Sequence, residues 1–210
     1  TSFPHMKGHN FILVDHQSNE IKAGLPVFEV RSWLTGNRLI SIPFATLSDP
    51  LVSATDEMDA LLIEAKNLLQ GMNFSYMELK TLHAVPFMDK KHLADECFFR
   101  HHYLELREGP ESLWKSLNYK AVRYEINRSQ NHKLAVRVAD TESDFLTFYR
   151  LYALTRKRLG LPSQPRVFFR ALWETFSPGE NAAILLAEFE GKVVAGHFLL
   201  KFNGRVAAEA

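Results

Sequence analysis

An internal repeat constrains the architecture of this chain more than any local pattern does. Residues 21–30 (IKAGLPVFEV) align without a gap with residues 193–202 (VVAGHFLLKF), so that Ala23 matches Ala195 at an offset of 172 residues. An apolar segment precedes each copy, and a turn followed by arginine and an apolar residue comes after each. Both copies therefore predict a strand, a hairpin, a central strand, a turn and a further strand. Two unrelated antiparallel hairpins can also match by chance, and this alternative stays open.

The segments around the two copies differ. A predicted strand at 134–138 and predicted helices at 144–159 and 165–176 come before the second copy, whereas ten residues precede the first strand of the first copy. The first copy continues into a helix and two strands, and the second copy ends with the sequence. We therefore expect tandem α/β units at 1–110 and 111–210, of which the first lacks its beginning and the second its end.

Helices are predicted where apolar residues recur at three- and four-residue spacing. The clear cases are 56–70, 144–159 and 165–176, with Ser53, Thr55 and Ser143 as cap candidates and Pro165 in the first turn of the last helix. A weaker pattern covers 111–129, which is strongly basic near its end.

Strands are predicted from runs rich in β-branched and aromatic residues. These runs are 11–14, 25–31, 38–43, 74–80, 98–106, 134–138, 184–190, 193–202 and a last strand from Arg205. The Asn203-Gly204 pair is a strong hairpin signal, so that the last three strands predict an antiparallel meander. The alternation of strands and helices predicts a mixed α/β fold.

Composition excludes several classes of protein. The 25 Lys and Arg residues nearly cancel the 24 Asp and Glu residues, so the chain lacks the overall positive field that favours DNA binding. No apolar run is long enough to span a membrane, and Cys97 is the single cysteine, which together predict a cytoplasmic protein. The nine histidines lack the spacing of a metal site, and Cys97 has the surroundings of a packed thiol rather than a nucleophile.

Three groups of residues carry a resemblance to a known family. They are GLP at 24–26 with RLISIPF at 38–44, LW at 113–114 with Arg123 and Arg128, and FY at 148–149 with TR at 155–156 and GLP at 160–162. The predicted element order resembles the GNAT acyltransferase fold. Two such units in tandem resemble the FemAB-like (FemABX) aminoacyltransferases, including their relatives in bacterial exopolysaccharide synthesis.

The resemblance implies an enzyme that moves an aminoacyl or acyl group onto an amine of a peptidoglycan or polysaccharide precursor. It implies no permanently bound cofactor, and it leaves aminoacyl-tRNA and acyl-CoA open as donors. Two alternatives remain: a non-catalytic binding or scaffold protein with the same fold, and an acyl-CoA-dependent N-acyltransferase. The implied partners are an anionic cell-envelope precursor and the tRNA acceptor end, while peripheral membrane contact and an edge-strand dimer stay open.

One departure from the resemblance concerns the donor. Acyl-CoA enzymes of the GNAT fold hold pyrophosphate on a glycine-containing loop before a helix. The corresponding stretch here, residues 45–50 (ATLSDP), contains no glycine. We therefore expect the first unit not to bind CoA in the usual way.

The candidate site consists of groups that bind an anion or orient an amine. Lys120, Arg123 and Asn127 would lie on one face of a helix, and Arg128 follows, so we expect these cations to hold a phosphate in a cleft between the units. A solvated helix face is the alternative.

Two further candidates lie elsewhere in the chain. Asp49 could orient the amine or a hydroxyl, although Asp before Pro is also an ordinary turn former. Arg156 belongs to a second basic group at the end of a predicted helix, where the helix dipole alone explains cations.

Overall fold

The computed structural model describes residues 3, 5–33, 36–89, 100–106 and 109–209. The chain divides into two compact units, Phe3–Phe99 and Arg100–Ala210. The boundary expected at residue 110 stays a prediction, because residues 90–99 and 107–108 lie outside the described part. The prediction for Cys97 also falls outside it.

The first unit is a four-stranded sheet covered by one helix. Its elements are β1 Lys7–Val14, β2 Ile21–Val30, β3 Arg38–Ile40, α1 Thr55–Gly71 and β4 Tyr76–Glu78, with a 3₁₀ turn at Val85–Phe87. The strand order is β1-β2-β3-β4, antiparallel except for the parallel pair β3–β4 that α1 connects. Ala23, Leu25 and Val27 of β2 pack against the buried face of α1, which consists of Met58, Leu61, Leu62 and Ala65.

The second unit is an antiparallel sheet covered by two helices. Its elements are α2 Gly109–Ser116, a π turn Tyr119–Arg123, α3 Tyr124–Asn131, β5 Ala135–Val138, α4 Glu142–Arg158, α5 Arg166–Phe176, β6 Ala182–Phe189, β7 Lys192–Phe202 and β8 Arg205–Ala208. The strand order is β5-β6-β7-β8. Its core is aromatic: Phe145, Phe148 and Phe169 of the helices pack against Ile184, Leu186 and Phe198 of the sheet.

The two repeat copies occupy the same position in their sheets. Each central strand, β2 or β7, lies between two antiparallel neighbours, as the alignment predicts. The hairpins differ in length: Asn203 and Gly204 form a two-residue turn with positive φ angles of 46° and 72°, while β2 and β3 are joined by residues 31–37.

Helices cover opposite sheet faces in the two units. In the first unit, α1 packs on Ala23, Leu25 and Val27, which align with residues 195, 197 and 199 of β7. In the second unit, α4 and α5 pack on the other face of β7, through Phe198. Because side chains alternate along a strand, the repeated pattern predicts the strands but not which face a helix covers.

Several predicted boundaries are wrong in detail. The helix expected at 111–129 is interrupted at 117–118 and contains the π turn. The strand expected at 98–106 does not form in its described part, 100–106. The cap of α4 is Thr141 rather than Ser143, and Pro165 stands at the cap position of α5 rather than inside the helix.

Candidate functional site

The basic segment of the second unit is built on a wide helical turn. Asn118 has an extended backbone, and its side-chain oxygen accepts a hydrogen bond from the Ala121 N–H at 2.9 Å. The N–H groups of Val122 and Arg123 both donate to the Asn118 carbonyl at 3.1 Å. The resulting five-residue turn separates α2 from α3. Segments of π-helix are rare and are frequently found at functional sites.

Arg123 is the most unusual cation in this segment. Its guanidinium carbon lies 5.4 Å from the centre of the Tyr119 ring, within the range of a cation–π interaction. Its Nε atom is enclosed and has no hydrogen-bond partner among the described residues. An enclosed N–H without an acceptor is unfavourable. A bound ligand with an acceptor oxygen would remove this cost, so Arg123 is a candidate for ligand binding.

The other two predicted cations of the segment differ from Arg123. Lys120 is exposed in the π turn and forms no ion pair with the described residues. Arg128 lies on α3, and its Nη1 is 3.7 Å from Glu125 Oε2, with both side chains more than half exposed. Such a pair is weak in water, so Arg128 stays available to a stronger anion. Because the regular helix is interrupted, the shared face of Lys120, Arg123 and Asn127 stays a prediction.

Asp49 binds the backbone of the first unit. Its Oδ1 accepts hydrogen bonds from the N–H groups of Leu82, His83 and Ala84 at 2.8, 3.0 and 3.0 Å. These contacts attach the loop after β3 to the segment after β4. A role in orienting a substrate amine stays a prediction.

Arg156 binds the connection between α4 and α5. Its Nε and Nη2 donate to the Pro162 carbonyl oxygen at 3.1 and 3.0 Å. The guanidinium thereby holds the chain after Gly160, whose φ is +69° and which ends the helix in the left-handed region. Its predicted role in substrate binding stays a prediction.

Two ionic clusters, each around one buried carboxylate, were missed by sequence reasoning. In the second unit, Arg137 of β5 contacts both Asp144 of α4 and Glu188 of β6. The hydrogen bonds from Arg137 are the main reason why the pKa of Asp144 is well below its ordinary value. No local motif marks this cluster, since its members are brought together by strand pairing.

The other cluster surrounds Glu29 on the central strand of the first unit. Only 4% of Glu29 is exposed, and its carboxylate contacts His9 Nε2 at 2.8 Å and Arg31 Nη2 at 3.1 Å. Burial raises the pKa of Glu29, but the hydrogen bonds from His9 and Arg31 outweigh it, so that the pKa is below the usual value. An acidic residue between the apolar residues Phe28 and Val30 of a predicted central strand was the signal that could have revealed this cluster.

The first turn of α1 is acidic, and one of its carboxylates binds the residue before the cap position. Glu57 Oε2 accepts hydrogen bonds from the Ser53 N–H at 2.7 Å and the Ser53 hydroxyl at 3.0 Å. Asp56 adds a second acidic residue to the first turn. Both carboxylates would repel an anion at a helix end that otherwise favours one.

The described residues include no group of three or more His, Cys, Asp or Glu side chains placed to hold a metal ion. Among these same residues, every helix is too short or too polar to cross a bilayer.

Comparisons with known proteins identify the fold. Residues 118–209, less than half of the chain, match the family model described as an acetyltransferase (GNAT) domain. Among solved structures, the chain is similar to the crystal structure of FemX, with a TM-score of 0.59 and 12% sequence identity over 90% of this chain and 50% of that chain. The chain thus spans half the length of FemX. No curated protein sequence matches it. The predicted mixed α/β fold with GNAT-like units and the resemblance to the FemAB-like fold are confirmed.

Proposed function

We propose that this chain, which has the GNAT-type fold of FemX, belongs to a bacterial acyltransferase of the FemAB type. The proposed reaction moves an aminoacyl or acyl group onto an amine of a cell-wall or polysaccharide precursor in the cytoplasm. Support comes from the GNAT match of residues 118–209 and the similarity to FemX. The observation that carries the proposal concerns Arg123, which lies inside the matched segment. Its enclosed Nε has no hydrogen-bond partner among the described residues.

The chemistry requires few groups from the protein. The amine nitrogen attacks the carbonyl carbon of an ester or thioester, the new C–N bond forms, and the C–O or C–S bond breaks. The amine proton passes to a base or to the leaving group. Because the amine must be held close to the carbonyl carbon in a reactive orientation, binding of the charged parts of the substrates contributes to the rate. Arg123 and Arg128 suit phosphate because a guanidinium donates two parallel hydrogen bonds, and Lys120 adds a point charge.

The donor binds elsewhere than at α1. The Glu57 contacts and the acidic first turn oppose a pyrophosphate at this helix. Aminoacyl-tRNA and acyl-CoA both remain candidate donors for the whole protein. A tRNA acceptor end and a pyrophosphate-bearing sugar precursor share the phosphate chemistry that Lys120, Arg123 and Arg128 would recognise.

The test is charge reversal in the full-length protein. The Arg123→Glu/Arg128→Glu variant is expected to weaken binding of a pyrophosphate-bearing precursor at least about tenfold, since each charged hydrogen bond contributes roughly 1.5–3 kcal/mol. Transfer should fall in parallel. Lys192→Glu, at an exposed hairpin of the same unit, is the matched control. The site assignment is wrong if the double variant, folded as judged by its thermal midpoint, binds and transfers like the wild type.

A scaffold protein with the same fold is the second candidate. Two features of the first unit favour it. The stretch 45–50 contains no glycine, so it does not have the composition of a conventional phosphate-binding loop. In the same stretch, Asp49 already accepts hydrogen bonds from three backbone N–H groups. Thermal-shift measurements with acyl-CoA, nucleotide sugars and charged tRNA separate the two. Tight binding without turnover supports the scaffold, and turnover supports the transferase.

A further inference from the structure

Between Asp144 and Glu174, a stretch that covers most of α4 and α5, the charged side chains are all positive. Residues 145–173 contain six arginines and lysines but no aspartate or glutamate, although the whole chain has a formal charge of only +1. Arg170 is paired with Glu142, and Arg156 binds the Pro162 carbonyl. The remaining cations, which form no ion pair with described residues, are Arg150, Lys157, Arg158 and Arg166.

Aliphatic side chains are exposed among these cations. At the end of α4 and on the connection to α5, Leu154, Leu159 and Leu161 are 46%, 64% and 46% exposed, and Val167 in the first turn of α5 is 52% exposed. The Arg156 contacts with Pro162 hold this connection in place, and Leu159 and Leu161 lie on it. Groups of exposed apolar side chains often mark an interaction site.

A shallow groove continues this surface along α4. Its volume is about 410 Å³, and its apolar lining includes Leu146, Ala153 and Leu154. Three cations, Arg150, Lys157 and Arg166, stand along it. We name the four unpaired cations, the four exposed aliphatic residues and this groove the α4–α5 basic surface.

We propose that the α4–α5 basic surface binds the surface of an anionic lipid bilayer. Lysine and arginine beside exposed leucine and valine are the composition of segments that lie in a membrane interface. Each cation near an anionic leaflet contributes about 1 kcal/mol, and the aliphatic groups add apolar burial below the headgroups. The inference rests on this surface alone and not on the proposed transfer reaction.

An acidic peptide is the competing occupant, and the exposed residues favour it less. Protein interfaces concentrate aromatic residues at their centre. Here Tyr149 is the one aromatic residue that lines the groove, and the four exposed residues of the surface, Leu154, Leu159, Leu161 and Val167, are aliphatic. A loop that presents leucines between cations suits penetration into a bilayer better than it suits a complementary protein groove.

The experiment measures sedimentation of the full-length protein with vesicles. One set contains phosphatidylcholine alone, and the other contains equal parts of phosphatidylglycerol and phosphatidylcholine. We expect binding to the anionic vesicles only. Arg150→Gln/Lys157→Gln/Arg166→Gln should weaken this binding by at least about tenfold, and Leu159→Ser/Leu161→Ser should weaken it at unchanged charge.

Matched controls keep the result interpretable. Lys192→Gln removes an exposed cation of the same unit, and Ile21→Ser removes an exposed aliphatic residue of the first unit; both should bind like the wild type. Every variant should keep the thermal midpoint of the wild type within a few degrees. No binding to anionic vesicles, equal binding by the triple variant, or binding to poly-glutamate in place of vesicles would overturn the proposal.

Discussion

Arg137 on β5 holds the carboxylate of Asp144 in α4 through two parallel hydrogen bonds, Nη1–Oδ2 at 2.8 Å and Nη2–Oδ1 at 2.6 Å. The same guanidinium reaches Glu188 on β6 with its Nε at 2.7 Å. Asp144 also completes a capping box with Thr141 at the start of α4. One side chain thus fixes the helix start relative to two strands.

Replacing Asp144 should destabilise the second unit. Asp144→Asn removes the charge that Arg137 faces and one acceptor oxygen, so we expect the free energy of unfolding to fall by roughly 1–3 kcal/mol. Asp140→Asn is the matched control, because Asp140 is exposed and only its backbone N–H takes part in the cluster. Chemical denaturation of both variants measures the difference. Equal stability of the two would show that the Arg137 contact contributes little.

The contribution of Asp144 should depend on pH. Hydrogen bonding to Arg137 lowers its pKa in the folded state, so its stabilising effect is complete above the unfolded value of about 3.9. The effect is lost as the pH falls from that value through the folded pKa. The stability gap between the wild type and Asp144→Asn should therefore be constant from pH 7 to pH 5 and shrink below pH 4. A gap that widens in acid would contradict this sign.

The repeat supplies a matched pair of glycines for a packing test. A Cβ on Gly196 would lie 3.1 Å from Phe148 Cδ2 and 3.2 Å from Leu186 Cδ2, whereas one on Gly24 would lie 3.8 Å from the nearest atom, the Phe11 carbonyl oxygen. We expect Gly196→Ala to lower the free energy of unfolding by about 1–3 kcal/mol through overpacking. Gly24→Ala should change it by less than about 1 kcal/mol. Thermal unfolding of the two variants measures the difference. Equal losses of stability would show that the aromatic core of the second unit shifts to accommodate the added methyl group.

Removing the Asp49 carboxylate should loosen the first unit. Asp49→Ala leaves three backbone N–H groups without their acceptor, which we expect to cost roughly 1–3 kcal/mol of stability. Asp59→Ala, at an exposed position of α1, should stay within about 0.5 kcal/mol of the wild type. Hydrogen exchange of the Leu82, His83 and Ala84 amides checks the cause. Loss of transfer activity with unchanged amide protection would instead indicate that Asp49 acts on the substrate.

Local patterns predicted most strands and helices because their causes are local. The Asn203-Gly204 turn adopts the positive φ angles that these residues tolerate, and Gly160 ends α4 in the same way. The π turn was missed because residues 111–129 have the apolar spacing of an ordinary helix. The turn is wide because the Arg123 N–H donates to the Asn118 carbonyl and the Tyr124 N–H to the Tyr119 carbonyl, each five residues earlier.

The candidate site was only partly accessible to sequence reasoning. The sequence predicts Arg123 as an anion ligand from its family-like position, and this role stays a prediction. Its enclosed Nε and its position over Tyr119 depend on the turn and could not be read from spacing. The two contacts of Glu29 likewise depend on strand pairing, since His9 lies twenty residues away in sequence.

The sequence by itself determined the repeated strand order and the GNAT-type architecture, because alternation, turn residues and the 172-residue offset are properties of the linear chain. Tertiary structure alone decided which sheet face each helix covers, which carboxylates Arg137 and His9 meet, and where cations and leucines share a surface. These features arise when strand register and helix packing bring distant residues within a few ångströms. No local pattern records such distances.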